Sequence, residues 1–259
     1  MSTMPAIFVS HGAPTLVLEP VPARDFLRGL GQSLPAPRAI LAVSAHWETA
    51  VPTVSAAQRP ETIHDFYGFP PELYRVRYTA PGAPELAQRV AELLERAKTA
   101  VDVSRDRGLD HGAWVPLVLA YPGADIPVTQ LSIQSARGPA WHWALGEALR
   151  PLREEGVLVL ASGSITHNLR DFGRQALNAA PVGYAAAFSE WLAAAITEGR
   201  HDDLIAYRKL APGAARNHPT EEHLLPLFVA AGAGSTGRGE RLHASYTYGA
   251  FAMDVYRFD

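Results

Sequence analysis

The stretch AILAVSAHW spans residues 39–47 and is a run of mostly apolar side chains that ends in a histidine and a tryptophan. A short apolar run of this kind predicts a strand that is buried on both faces. Similar runs predict further strands at Ala6–Val9, Pro52–Ala56, Ile126–Ile133, Val157–Ala161 and Tyr246–Phe258.

Segments with helical spacing of apolar side chains separate these strands, and they lie at Ala83–Lys98, Gly112–Ala120, Pro139–Arg153, Val182–Glu198 and Thr220–Ala231. Strands that alternate with helices indicate a mostly parallel sheet covered on both faces. We therefore expect a single α/β domain over residues 1–259, with a central, mostly parallel (mixed) sheet. The glycine-rich segment 232–239 predicts a loop before the last strands.

Composition excludes several classes of protein. The chain has 259 residues, 47% hydrophobic side chains, a formal net charge of −3 and no cysteine. Without thiolates, a metal ion must be bound by imidazole or oxygen ligands. The charge and the absence of basic runs argue against nucleic acid as a partner. No signal peptide or stretch of about 20 apolar residues is evident, so we expect a cytoplasmic protein that does not enter the membrane.

Histidines follow three of the predicted strands directly or closely: His11, His46 and His167. The carboxyl ends of parallel strands meet at one edge of a sheet, where binding sites form. His218 precedes a predicted helix start, and His111 lies just before another helix. Imidazole binds zinc, iron and copper well. The pattern predicts a metal site built from His11, His46, His167 and His218.

The other histidines have ordinary structural interpretations. His64, His142, His201 and His243 are expected to cap or pack. His223 lies five positions after His218, which is off the i, i+4 face of a helix. We therefore expect His223 to form part of a pocket wall and not to be a ligand. Glu221 and Glu222 favour a helix N-terminus, and the sequence around Ser162 and Ser164 lacks a nucleophile elbow.

Taken together, six motifs resemble the class III extradiol ring-cleavage dioxygenases, and in particular the bacterial and plant DOPA 4,5-dioxygenase-like group. They are SHGAP (10–14), SAHWE (44–48), HDFYGFP (64–70), DHGAWVPL (110–117), GSITHNL (163–169) and HPTEEH (218–223). The resemblance covers nearly the whole chain. It implies one α/β domain, iron(II) for catalysis, a catechol substrate, and zinc as an occupant of purified protein.

Carried over position by position, the resemblance makes His11 and His46 metal ligands. His218 matches the position where more distant members place a glutamate ligand, so this chain departs from a strict pair of histidines with one carboxylate. Neutral imidazoles alone suit zinc at least as well as iron. His167 matches a histidine that acts as base or as a fourth ligand, and His111 matches one that contacts substrate or oxygen and would serve as acid.

The function predicted in this way is extradiol opening of a DOPA-like catechol with O2, both bound as small molecules by a monomer or small homo-oligomer. Two alternatives remain at this point. A zinc hydrolase would use the same histidines to activate water, and a non-enzymatic metal-binding or signalling protein can share the fold. The presence of both His111 and His167 favours an enzyme, because a binding protein needs no proton carriers.

Overall fold

Strands and helices alternate along the chain in the computed structural model, which describes residues 3–259. The strands are β1 (Ala6–Ser10), β2 (Ala39–Glu48), β3 (Thr53–Ser55), β4 (Asp102–Ser104), β5 (Val128–Ile133), β6 (Val157–Gly163), β7 (Gly239–His243), β8 (Tyr246–Thr247), β9 (Phe251–Ala252) and β10 (Val255–Phe258). The α-helices are α1 (Pro22–Ser33), α2 (Pro84–Arg96), α3 (His111–Ala120), α4 (Gly138–Leu149), α5 (Pro151–Glu154), α6 (Gly183–Glu198), α7 (His201–Ile205), α8 (Tyr207–Leu210), α9 (Ala214–Asn217) and α10 (Leu225–Ala233).

Eight strands form one sheet in the order β4-β3-β5-β2-β6-β1-β10-β7. The central strands β5, β2, β6 and β1 are parallel to one another, whereas β10 and β7 add to the β1 edge in antiparallel fashion. On the opposite side, β3 pairs antiparallel with β5 and parallel with β4. The mostly parallel, mixed sheet of an α/β fold is therefore confirmed.

Each face of the sheet carries its own hydrophobic core, because successive side chains of a strand point to opposite faces. One core contains Phe8 and Leu41 and is covered by α2, α4, α6 and α10. The other contains Ile7 and Ile40 and is covered by α1 and α3. The predicted layering, with helices on both faces, is confirmed. Among residues 3–259, no helix has the length and hydropathy needed to cross a bilayer.

The short elements β4, β7, α7, α8 and α9 were not predicted, and three further segments differ from the sequence prediction. The helix α1 was not predicted, because its two glycines, Gly29 and Gly31, weaken the helical pattern. The single strand predicted at Tyr246–Phe258 is divided into β8, β9 and β10, with positive φ values at Tyr248 and Gly249 where the chain turns.

The third difference affects the functional site. The helix predicted at Thr220–Ala231 begins only at Leu225, where Pro226 occupies the first turn. Proline is favoured there because the first N–H groups of a helix have no partner within it. Residues 218–224 consequently form a non-helical segment ahead of α10.

Candidate metal centre

Three imidazoles point their Nε2 atoms at one another at the carboxyl edge of the sheet. The Nε2 atom of His46 lies 3.1 Å from Nε2 of His11 and 3.2 Å from Nε2 of His223. His11 and His223 are almost completely buried, and His46 is partly exposed. The potential ligand atoms of all three lie within 4.8 Å of one another.

Strand pairing brings His11 and His46 together. Their strands β1 and β2 lie on either side of β6, with Ser10 paired to Gly163 and Ser44 paired to Ser162. The backbone N–H of His11 donates to the Gly163 carbonyl at 3.0 Å. Both histidines therefore emerge at the same height above the carboxyl end of β6.

His223 reaches this site because the segment before α10 crosses directly over the end of β6. The backbone N–H of Ser164 donates to the His223 carbonyl at 2.8 Å. A Cβ atom added to Gly163 would lie only 2.1 Å from the same carbonyl oxygen. The absence of a side chain at Gly163 is thus what allows this segment to lie so close to the strand.

The spacing of the three nitrogens fits a common metal ion. Two ligand nitrogens at about 2.0–2.1 Å from one ion, separated by about 90–110°, lie about 2.8–3.4 Å apart, and the two observed separations of 3.1 and 3.2 Å fall in that range. An N–H···N hydrogen bond would satisfy only one of the two contacts of the His46 nitrogen. A single metal ion can be bound by all three converging lone pairs.

The other ring nitrogen of His11 shows which tautomer is present. Its Nδ1 lies 2.9 Å from the Ser162 hydroxyl, and that hydroxyl donates its single proton to the Gly112 carbonyl. Pro116 in α3 has no N–H, so the Gly112 carbonyl lacks its usual helical donor and is free for Ser162. Ser162 must therefore accept from Nδ1–H of His11, which leaves the lone pair on Nε2.

Carboxylates face Nδ1 of the other two histidines. Nδ1 of His46 is 3.4 Å from Oδ2 of Asp65, and Nδ1 of His223 is 2.9 Å from Oε1 of Glu222. All three imidazoles consequently present an unprotonated Nε2 to the centre. Such outer acceptors are typical of metal-bound histidines, whose orientation and basicity they set.

Burial keeps these imidazoles neutral. It holds the pKa of His11 and His223 well below the usual value, assisted by the neighbouring histidines, and it lowers the pKa of His46 to about 4. Neutral imidazole is the form that binds metal ions. The donor set is therefore ready to ligate at neutral pH, and it fits a divalent ion that prefers nitrogen ligands.

The side chain of His218, which the sequence predicted as a ligand, lies apart from the three-histidine cluster. Its side chain is fully buried beside Phe188 and Tyr207, and its Nε2 hydrogen-bonds the Ile165 carbonyl at 2.8 Å. The cluster with His11 and His46 contains His223 instead. His218 ends the short helix α9 and is directed into the core, so it is not placed to share an ion with them.

His167 and His111 flank the three-histidine cluster. The ring of His167 stacks on the ring of His223, with centroids 3.4 Å apart, and its Nδ1 lies 3.9 Å from Glu222. It groups with His223 and Glu222 and not with His11 and His46. His111 packs beside His46 with ring centroids 3.9 Å apart.

The positions of these two rings follow from local structure. Asp110 is the N-cap of α3, and its side chain accepts from the Ala113 N–H, which fixes the start of the helix at His111. The backbone N–H of His167 donates to the Asn217 carbonyl at 2.9 Å. Burial lowers the pKa of His167 to about 3, so its imidazole is neutral at neutral pH.

The remaining histidines lie outside the cluster, in line with their expected structural roles. His142 is buried, with Nδ1 on the Gly138 carbonyl and Nε2 accepting from the Gln134 N–H. His64 bonds the Val76 carbonyl, His243 bonds Ser245 and stacks on Phe26, and His201 packs against Trp143.

A cavity of about 750 Å³ opens above the cluster. Its floor includes His11, His46, His223, His111 and His167. Aromatic and apolar side chains form much of the wall, namely Leu16, Phe66, Tyr67, Phe69, Leu169, Phe172, Tyr248, Phe251 and Met253. A planar aromatic ring fits such a cavity, with its polar edge directed at the histidines.

Residues 5–258 match the family described as the catalytic LigB subunit of aromatic ring-opening dioxygenase. The chain belongs to the LigB family. It is an extradiol aromatic ring-opening dioxygenase, dependent on a metal and acting on a small aromatic molecule and O2. Family membership decides against the zinc hydrolase and the non-enzymatic binding protein.

Relatives of this LigB-family dioxygenase cover nearly all of the chain. It is 44% identical over 256 residues to a 4,5-DOPA dioxygenase extradiol from Beta vulgaris, and the alignment covers 97% of this chain and 95% of the relative. It is 44% identical over 233 residues to a protein of the same name from Escherichia coli K12, and that alignment covers 89% of this chain and 85% of the relative. An uncharacterized protein from Escherichia coli K12 has a similar crystal structure, with a TM-score of 0.81 at 35% identity and coverage of 99% and 100%.

Proposed function

We propose that this LigB-family dioxygenase opens the ring of a DOPA-like catechol, with iron(II) held by His11, His46 and His223. The main support is that Nε2 of His46 lies 3.1 Å from Nε2 of His11 and 3.2 Å from Nε2 of His223, at the floor of a largely aromatic cavity. Ferrous iron, when bound there, supplies a centre that holds the catecholate and O2 side by side. Zinc suits the same imidazoles and would occupy purified protein without supporting oxygen chemistry.

Two histidines are placed to carry protons. His167 is the proposed base, because its imidazole is neutral at neutral pH and accepts a proton from a catechol hydroxyl in the cavity. His111 is the proposed acid. Its Nδ1–H donates to Asp65 at 2.9 Å and its ring lines the cavity, so Nε2 is left to exchange a proton with a bound substrate.

Asp65 stays ionised throughout the working range of pH. Burial is the largest single effect and would raise the pKa of its carboxyl, but the hydrogen bonds and electrostatic attraction of His111, together with the attraction of His46, outweigh it and lower the pKa to about 2. A permanent negative charge therefore lies beside His111. The overall reaction adds both atoms of O2 to the catechol and gives a ring-opened hydroxymuconic semialdehyde, so no other oxidant is required.

The charges of the cavity favour a substrate with a cationic side chain. Glu19, Glu48 and Glu222 line the cavity, whereas no lysine or arginine belongs to the described lining residues. Glu222 accepts a hydrogen bond from His223, whereas among residues 3–259 the Glu19 carboxylate accepts from the Tyr248 hydroxyl and Glu48 accepts from the Ser135 hydroxyl. An ammonium group therefore finds carboxylate partners in the wall, whereas a carboxylate finds no lysine or arginine among the described lining residues.

A set of catechols that differ in charge tests the proposal. Protein stripped of metal and reloaded with iron(II) under anaerobic conditions should consume one O2 per molecule of DOPA and form a yellow product. KM should be lowest for a catechol with an ammonium side chain alone, higher for DOPA, and highest for 3,4-dihydroxyphenylpropanoate. Glu19→Gln should reduce this preference, while the neutral 4-methylcatechol serves as control.

Two outcomes would count against the proposal. Absence of O2 uptake with every catechol would contradict the substrate class, and equal turnover by zinc-loaded protein would contradict the role of iron.

We also infer that residues 1–259 act as one catalytic domain, since both hydrophobic cores pack on the same sheet.

A further inference from the structure

A single carboxylate, Asp65, faces two histidines of the site at once. Its Oδ1 accepts from the backbone N–H of His111 at 3.0 Å and from Nδ1 of the same residue at 2.9 Å. Its Oδ2 lies 3.4 Å from Nδ1 of His46. Asp65 belongs to neither strand nor helix, and it precedes Phe66 and Tyr67, which line the cavity wall.

Each oxygen of Asp65 must accept a hydrogen bond from a different histidine. A backbone N–H is always a donor, so the oxygen that faces His111 must be an acceptor. His46 can direct a lone pair toward His11 and His223 only if its Nδ1 carries the proton, so the oxygen that faces His46 must also be an acceptor. An ionised carboxylate meets both requirements, because each of its oxygens only accepts.

We propose that Asp65 is a positioning residue that fixes the tautomers of His46 and His111 together, and that a neutral isostere cannot replace it. The inference rests on the proposed roles of His46 as ligand and His111 as proton carrier. An asparagine would have to keep its carbonyl oxygen on the His111 N–H. Its NH2 group would then face Nδ1 of His46 and force that atom to accept, which moves the ring proton to Nε2, where the ion should bind.

Glu222 provides a matched control in the same site. It also lies between two histidines, but the hydrogen bonds it accepts from Nδ1 of His223 at 2.9 Å and from the Thr220 hydroxyl at 3.1 Å both fall on Oε1. Nδ1 of His167 faces the same oxygen at 3.9 Å. A glutamine can place its carbonyl oxygen there and keep these contacts, so loss of charge alone should leave the tautomer of His223 unchanged.

The experiment compares Asp65→Asn with Glu222→Gln. Zinc affinity is measured by competition with a chromophoric chelator, without substrate or turnover. Asp65→Asn should bind zinc about 10- to 100-fold more weakly than wild type, which is the usual effect of removing an outer partner of a ligand. Glu222→Gln removes a charge but keeps an acceptor for Nδ1 of His223, so it should weaken zinc binding less than Asp65→Asn does. Far-ultraviolet circular dichroism establishes that both variants are folded.

Long-range ¹H–¹⁵N spectra of the metal-free protein give a second readout that does not depend on metal affinity. They report which nitrogen of each imidazole carries the proton. In wild type, His46 and His111 should both be protonated at Nδ1, and in Asp65→Asn the proton of His46 should move to Nε2. Packing alone would not produce that change.

A wild-type His46 with its proton on Nε2 would overturn the proposal, and so would an Asp65→Asn variant that binds zinc as tightly as Glu222→Gln. The failure of the proposed function is distinguishable, because it appears as absent O2 uptake by iron-loaded wild type, or as retained metal in His46→Ala. Neither of those results depends on the tautomers set by Asp65.

Discussion

Replacing Gly163 with alanine should weaken metal binding although it changes no ligand. The added Cβ would lie 2.1 Å from the His223 carbonyl oxygen, whereas real Cβ contacts are essentially never shorter than 3.0 Å. The two groups must therefore separate by about 1 Å. The hydrogen bond from the Ser164 N–H to that carbonyl ties the segment to β6, so His223 moves when the contact opens.

A displacement of that size exceeds what coordination tolerates. Metal–ligand distances are satisfactory within about 0.2 Å of their ideal values, and a misplacement of about 1 Å at a catalytic group reduces rate by about 100-fold. We expect Gly163→Ala to bind zinc at least about tenfold more weakly. Its iron-loaded kcat/KM should fall by about 100-fold, and overpacking should lower the free energy of unfolding by about 1–3 kcal/mol.

Gly232→Ala is the matched control. A Cβ there would lie 2.1 Å from the Trp143 carbonyl oxygen, where α4 packs against α10, so the steric overlap is the same at a place away from the histidine cluster. It should lower stability by a similar amount and leave zinc affinity within about twofold of wild type. Chelator competition and urea unfolding measure both quantities. Folded Gly163→Ala with wild-type zinc affinity, or equal loss of affinity in both variants, would refute the reasoning.

Further predictions separate the roles of individual side chains. His223→Ala should lose metal, as determined by elemental analysis. His218→Ala should keep its metal but lose about 2–4 kcal/mol of unfolding free energy, because it leaves a buried cavity and removes a hydrogen bond. The reverse pattern would show that His218 is a ligand and His223 is not. His167→Gln should retain iron and bind catechol but turn over about 10²–10⁴-fold more slowly, and near wild-type turnover would remove its role as base. Burial raises the pKa of Asp254 from 3.8 to about 6, so the folded state binds the extra proton, and the stability that Asp254 contributes is present at low pH and lost as pH rises through about 6. The difference in unfolding free energy between wild type and Asp254→Asn should therefore decrease by about 1 kcal/mol from pH 5 to pH 7.5 in urea titrations, and a constant difference would contradict the raised pKa.

Part of the site was predictable because strand topology alone places it. His11 and His46 follow apolar runs, and the carboxyl ends of parallel strands converge whatever the details of the loops. The same logic located His167 shortly after β6, and the predicted helix start near Gly112 located His111 at the start of α3. These predictions required only the alternation of strands and helices, which hydrophobic periodicity reveals.

His223 was not expected in the cluster because the local structure was misjudged. The spacing of five residues from His218 counts against a shared face only on a helix, and residues 218–224 are not helical. Pro226 was the available signal, since a proline in the first helical turn predicts that α10 starts near Leu225 and leaves His223 in the preceding loop.

The acceptors that orient the ligands could not be predicted from spacing. Asp65 contacts a histidine 46 residues further along the chain, and Ser162 lies 151 residues from His11. Such contacts depend on how loops pack above the sheet, and no periodic pattern encodes that packing. Asp65 and Ser162 therefore became visible only in three dimensions.

An anomalous difference map would show directly which histidines bind the iron. Crystals of protein reconstituted with iron(II) under anaerobic conditions would be measured on both sides of the iron absorption edge. We expect one strong peak about 2.0–2.2 Å from the Nε2 atoms of His11, His46 and His223. A peak coordinated by His218, or no peak among these three histidines in protein that consumes O2 with catechol, would contradict this expectation.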